Sequence, residues 1–277
     1  MLFQREVCRL LDEDPELGLG VPPNERALAT RVCEARVATA PHGPWRLPGQ
    51  ERQRHDHLGF LVLGGVVARR VMTASRPSCE LLGEGDLIRP WGRGYGLGPS
   101  SETVTWSVLA DAELAVLDAR LTERLRRWPQ IGEVLLDRCA ARADALARQL
   151  AILSAHPVER RLLLMLWHLA QRWGRVSPDG VRLPLQLTHG LLAEMIGVRR
   201  PSLSTAVGHL VEEGRLARPQ GRGGWLLVGS PPADENDLAE LTGARSAERA
   251  PSGGGVARPA PSRRFSTLVR SVDTPAS

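Results

Sequence analysis

The sequence predicts an α+β chain built of an N-terminal antiparallel β-roll or barrel, a long helix and a C-terminal winged helix-turn-helix. Three observations predict it. Short apolar runs broken by glycine and proline fill residues 36–118, apolar spacing switches to three-to-four over 119–155, and two short amphipathic helices meet at Gly197 ahead of a glycine-rich hairpin. At 277 residues and 42% hydrophobic content, the chain can bury two modest cores.

Each element follows in order. Residues 4–13 and 24–34 read as short helices, which makes 1–35 an N-terminal helical segment. The runs "ARVATA", "GFLVLGGVVARRV", "CELLGEGDLI", "TVTWSVLA" and "AELAVLD" read as short strands with turn residues between them, so 36–118 is a small antiparallel barrel or sandwich. From Ala119 to Ser154, glycine is absent after Gly132, and Leu135, Cys139, Leu146, Leu150 and Leu153 recur at helical spacing beside Ala140, Ala143 and Ala147. This predicts one long dimerisation helix over 119–155. One of its stripes rests on the barrel, and the alanine stripe is open to a second helix; packing only within its own chain is the alternative.

His156-Pro157 ends that helix, because proline has no N–H to donate and restricts the residue before it. The stretch "VERRLLLMLWHLAQRWG" is helical again up to Gly174, and "VRLPLQL" alternates as a strand does. Residues 156–230 form the winged helix-turn-helix region. Residues 231–277 are rich in proline, glycine, serine and charge. They bury too little apolar surface to offset chain entropy and read as a disordered tail.

All 36 basic residues are arginine, and the net charge is +5. Between His156 and Ser230 ten arginines face five acids, also +5, so the remainder of the chain is balanced. A localised cationic segment suits a polyanion, most often nucleic acid; a solvated charged surface is the alternative. No stretch has the length of a membrane span, and "MLFQREVCRLLDEDPEL" lacks the unbroken apolar region of a signal peptide. A cytoplasmic location without a membrane partner is expected. Cys8, Cys33, Cys79 and Cys139 have no CxxC spacing, which disfavours zinc and iron–sulfur sites. Small core residues are expected there, with no metal and no cofactor.

The candidate functional segment is "AEMIGVRRPSLSTAVGHL", residues 193–210. Thr188 is placed to cap a helix whose inner face is Leu191, Leu192, Met195 and Ile196. Gly197 ends it with a left-handed turn, and Ala193 lets the next helix cross closely. The second helix starts near Arg199 to Pro201 and faces inward with Leu203, Ala206, Val207 and Leu210. Arg199, Arg200, Ser202, Thr205 and His209 are left over for a partner, with Thr188 and His189 at the start of the first helix. A helix of this kind fits the major groove, where arginine bonds guanine O6 and N7 and hydroxyls bond base edges or phosphates. "RLARPQGRGGWLLVG" reads as two strands around a turn with Arg222 at its tip, a wing suited to the DNA backbone. A structural or protein-binding winged helix is the alternative.

On these residues, "LTHGLLAEMIGVRRPSLSTAVGHLVEEGRL" resembles the DNA-binding domain of the Crp/Fnr superfamily of transcription regulators, of the catabolite-activator type. "FLVLGGVV" and "GEGDLI" look like hairpins of that family's cyclic-nucleotide-binding domain, and the likeness spans roughly residues 30–230. The resemblance implies a homodimer paired through the long helix, with two recognition helices reading an inverted repeat in double-stranded DNA. It also implies RNA polymerase as a further partner, and either a small-molecule effector of unknown identity or none. Arg200 takes the place of the family's main guanine-reading arginine. Pro201 and Thr205 replace a glutamate and a second arginine, so a different target sequence is expected.

In the family's cyclic-nucleotide sensors, a Gly-Glu pair holds the ribose and an Arg-Ser pair the phosphate. Here Arg89 and Pro90 stand at the first pair, and Glu102 and Thr103 near the second. A carboxylate there repels a phosphate. The pocket is degenerate and cyclic AMP binding is not expected; a cyclic-nucleotide-responsive regulator is the alternative. A cupin-type metalloenzyme is the rival from another class, because His55 and His57 form an HxH pair. The glutamate and third histidine of that pattern are missing, so two solvated loop histidines, and no enzyme, are expected.

Overall fold

The computed structural model describes residues 7–46, 57–73, 76–89, 103–218 and 223–232. The expectations for His55, Pro90, Glu102, Arg222 and the tail from residue 233 lie outside the described residues.

Seven antiparallel strands form the barrel sheet: β1 (Val7–Arg9), β2 (Glu34–Ala40), β3 (Gly43–Trp45), β4 (Gly59–Thr73), β5 (Arg76–Gly83), β6 (Leu87–Ile88) and β7 (Thr103–Leu117). The order is β1-β2-β7-β4-β5, with β3 on β7 and β6 on β4. "TVTWSVLA" and "AELAVLD", expected as two strands, are one continuous strand, β7. Its partner β4 takes up the bend instead: the register shifts three times between Val62 and Val67, and Gly65 sits there at φ +86°. A side chain at Gly65 would collide with the Asp111 carbonyl, so only glycine fits this bulge.

The N-terminal helices are shorter than expected. Residues 7–9 instead pair as β1 with β2, their side chains alternating exposed, buried, exposed. Next come the single turn α1 (Leu10–Glu13), a 3-10 turn (Pro15–Gly18) and α2 (Pro23–Val32).

The helix expected over 119–155 is two helices, α3 (Ala119–Leu125) and α4 (Pro129–Leu153). Asp118 caps α3 by accepting from the Leu121 N–H at 3.1 Å. Trp128 leaves helical geometry at φ −125°, ψ 78° to bury its ring, where its Nε1–H donates to Glu25 at 2.7 Å. Pro129, which has no N–H to donate, starts α4 anew.

α4 has two unlike faces. Toward the barrel, Arg138 forks onto Asp14 and also meets Glu16 at 3.1 Å, and Gln149 donates to the Cys79 carbonyl at 2.8 Å. Between them Arg142 bonds both oxygens of Glu80, at 2.6 and 3.2 Å, and the Leu87 carbonyl at 3.1 Å. The opposite face is open. Leu136 (69% exposed), Ala140, Ala143, Ala147 and Leu150 (67%) run along it at four-three-four-three spacing. Leu150 belongs to this outer stripe together with the alanines.

Cys8, Cys33 and Cys79 are buried as expected, and burial pushes the Cys33 thiol up to about 11 and the Cys79 thiol up to about 12. Cys139 departs from expectation and is exposed, because it lies beside the outer stripe of α4.

The remaining elements are α5 (Val158–Trp173), β8 (Arg175–Ser177), β9 (Gly180–Leu183), α6 (His189–Ile196), α7 (Arg200–Glu212), β10 (Leu216–Ala217) and β11 (Trp225–Leu227). Their antiparallel sheet runs β10-β11-β9-β8, so the expected wing strands do pair. Val66, Ala68, Cys79 and Leu81 of the barrel share one core with Leu162, Leu166, Ala193 and Ile196 of these helices. Two ion pairs cross the same seam. Arg70 meets Glu194 at 2.7 Å and Ser107 at 2.7 Å; Arg172 meets Asp86 and the Glu84 carbonyl, both at 2.6 Å.

Candidate nucleic-acid interface

The helix pair forms as its residues dictate. The Thr188 hydroxyl accepts from the Leu191 N–H at 3.2 Å, satisfying one of the donors left open at a helix start. Leu191, Leu192, Ala193, Met195 and Ile196 are buried, and Gly197 takes the left-handed conformation at φ 67°, ψ 32°. Arg199 is extended and leads into α7, whose second residue is Pro201. Leu203, Ala206 and Leu210 bury the inner face of α7.

The outer residues do not all stay free. Arg199, Arg200 and Ser202 are exposed. The Thr205 hydroxyl turns back to the Pro201 carbonyl at 3.3 Å. His209 is drawn to the start of α5, its Nδ1 2.8 Å from Glu159. Its place on α7 is the expected one, yet its ring already has a carboxylate partner. Ser204 and Gly208, not singled out from sequence, also lie exposed on α7. The i, i+4 spacing that groups them with Arg200 could have flagged them.

His189 is half-buried at a junction that no local pattern announces. Its Nδ1 lies 3.0 Å from Ser204 Oγ, its Nε2 lies 3.4 Å from the Arg218 guanidinium, and its ring stacks on Trp225 at 6.1 Å between centroids. Arg218 itself covers the Trp225 ring at 4.0 Å. Because a guanidinium only donates, the neutral ring accepts at Nε2 and donates from Nδ1 to Ser204. Burial, then the charges of Arg218 and Arg200, hold its pKa below the usual histidine value.

The candidate effector residues fall only partly within the described residues. Arg89 is exposed just past β6, and of Thr103 only the backbone, at the start of β7, is described. The HxH expectation is corrected at His57, which is buried within electrostatic reach of Asp118 and is not a solvated loop residue. Among the described residues, no group of three or more His, Cys, Asp or Glu could hold a metal ion. No helix among them is long and apolar enough to cross a membrane.

A capped helix, a left-handed glycine, an arginine-led second helix and a paired wing define a winged helix-turn-helix domain. Residues 160–233 match the family model of the Crp-like helix-turn-helix domain. The chain is 25% identical over 200 residues to a CRP-like cAMP-activated global transcriptional regulator of Mycobacterium tuberculosis, covering 70% of this chain and 85% of that one. It is 29% identical over 89 residues to the global nitrogen regulator of Synechococcus elongatus, a match covering 32% of this chain and only 40% of that regulator. The fold is similar to that of a CooA mutant from Carboxydothermus hydrogenoformans, at a TM-score of 0.54 and 20% identity over 75% of this chain and 88% of the other. The chain is thus similar to Crp-type transcription regulators, in its helix-turn-helix domain by sequence and over most of its described length by fold.

Proposed function

We propose that the chain binds an inverted repeat in double-stranded DNA as a homodimer, each α7 lying in a major groove, and that its barrel does not answer to cyclic AMP. Uncompensated charge carries the DNA reading. Arg199, Arg200 and Arg218 stand exposed around the helix pair with no carboxylate partner among the described residues. Arg36, Arg70, Arg138, Arg142 and Arg172 each meet a carboxylate elsewhere in the chain. Exposed, unpaired guanidiniums at a recognition helix suit phosphate and guanine.

Support for the homodimer comes from the outer stripe of α4, an apolar seam at coiled-coil spacing opposite the barrel face. Support for a barrel without cyclic AMP comes from α4's inner face. The arginines it sends toward the barrel are already saturated, Arg142 by Glu80 and Arg138 by Asp14 and Glu16. The likeness to a regulator named as cAMP-activated favours the second reading. Calorimetric titration with cyclic AMP and cyclic GMP separates the two, and a saturable heat would establish the second.

Site selection from randomised duplexes with the purified protein tests the main reading, and binding should weaken steeply with salt. Arg200→Ala is expected to lose about 1–3 kcal/mol on the selected site and relax the base preference there. Arg222→Ala should weaken all sequences alike. Equal, sequence-independent losses from both would remove the roles assigned to them.

Gly208 offers a sharper check. It lies inside α7, where glycine weakens a helix, yet a methyl group there would meet nothing within 4 Å. Glycine at this position therefore serves a close approach from outside the chain. Gly208→Ala should raise Tm, by about 0.5–1 kcal/mol of stability, and weaken DNA binding. Improved stability with unchanged binding would show that no duplex presses on that turn.

A further inference from the structure

We infer that Arg218, held flat on Trp225 and tethered by His189, is a phosphate clamp that grips one phosphodiester of bound DNA at the foot of the wing. This rests on the DNA-binding reading above.

Arg218 follows directly on the last residue of β10, and its side chain is exposed. Its guanidinium is ordered by two rings, Trp225 beneath it at 4.0 Å and His189 Nε2 at its edge at 3.4 Å. Arg36, Arg70, Arg138, Arg142 and Arg172 end on carboxylates and the N–H groups of Arg161 are spent on the Ala155 and Ile196 carbonyls, whereas Arg218 is ordered chiefly by ring faces and edges. An aromatic face attracts a cation but leaves its N–H fork unspent. What remains on offer is a planar pair of donors, the geometry that takes a phosphate bidentately. Free phosphate has the same chemistry; the position argues for the duplex. The supporting His189 also bonds Ser204 on the outer face of α7, so one imidazole ties the foot of the wing to the recognition helix.

Trp225 is fully buried and anchors the stack from below, so the charge is fixed relative to the core. His189 does not touch the phosphate in this scheme. It is a positioning residue, acting through Arg218.

Affinity for the selected duplex is to be measured against salt concentration for the wild type, Arg218→Ala, Arg218→Lys, His189→Ala and the His189→Ala/Arg218→Ala pair. Arg218→Ala should bind all sequences about tenfold or more weakly, with a salt slope lower by about one. Arg218→Lys should keep the slope but lose affinity, because an ammonium has no planar fork. His189→Ala should weaken binding in the wild-type background and have no effect once Arg218 is alanine. Matched Tm values guard against misfolding.

An unchanged slope in Arg218→Ala, with Arg200→Ala still impaired, overturns the clamp and leaves the DNA reading standing. Equal losses from His189→Ala in both backgrounds reduce His189 to a structural role and overturn the tether. Competition by inorganic phosphate at constant ionic strength that vanishes in Arg218→Ala would make this a free-anion site and overturn the backbone assignment. A wild-type protein that binds no duplex overturns both readings.

Discussion

Glu80→Ala is expected to destabilise the protein by about 3 kcal/mol or somewhat more, read as a fall in the midpoint of urea unfolding. Glu80 is 8% exposed on β5, and its carboxylate holds Arg69 at 2.9 Å and Arg142 through two bonds. Removing it strands two guanidiniums. The Arg69 side chain is 34% exposed and recovers some hydration, whereas that of Arg142 is 24% exposed and loses more. The lower end of the range for a broken buried pair therefore applies. Replacing both Glu80 and Arg142 by methionine should be milder, because only the more exposed Arg69 is then left without its carboxylate. A double variant as damaged as Glu80→Ala would mean that packing, and not the charge, sets the loss.

Ala143→Glu should lower affinity for the inverted repeat by about 10²–10⁴-fold while leaving affinity for an isolated half-site nearly intact. Ala143 is exposed midway along the outer stripe of α4, so the folded monomer accommodates a glutamate. In a two-fold helix pair, the same change sets two carboxylates against each other inside an apolar seam. Sedimentation should show monomers where the wild type is dimeric. A dimeric variant with full affinity would move the subunit contact elsewhere, and a monomeric wild type would dispose of the seam altogether.

Local features of the interface were legible because their causes are local. Thr188 caps, Gly197 reverses the chain, and Leu191, Leu192, Met195, Ile196, Leu203, Ala206 and Leu210 face inward, each dictated by residues within a turn or two. The strands of the wing were legible for the same reason. What escaped were consequences of distance along the chain. Arg138 with Asp14 and Arg70 with Glu194 are each 124 residues apart, and neither residue in a pair carries a mark of the other. Arg218 read as one arginine among ten until Trp225 and His189 converged on it. The interruption before α4 was visible as Pro129, but what ends α3 is the burial of Trp128, a tertiary event. His57 looked solvated for the complementary reason, since Asp118, within electrostatic reach of it, lies far along the chain.

The seam where Arg70 and Glu194 meet ties the barrel sheet to the helix pair through shared side chains. If duplex binding shifts α6, β4 and β5 feel it through shared side chains, and the traffic runs equally in reverse. Were a small molecule to tighten the proposed grip on DNA through this seam, linkage would require it to be held more tightly, by the same factor, once DNA is in place.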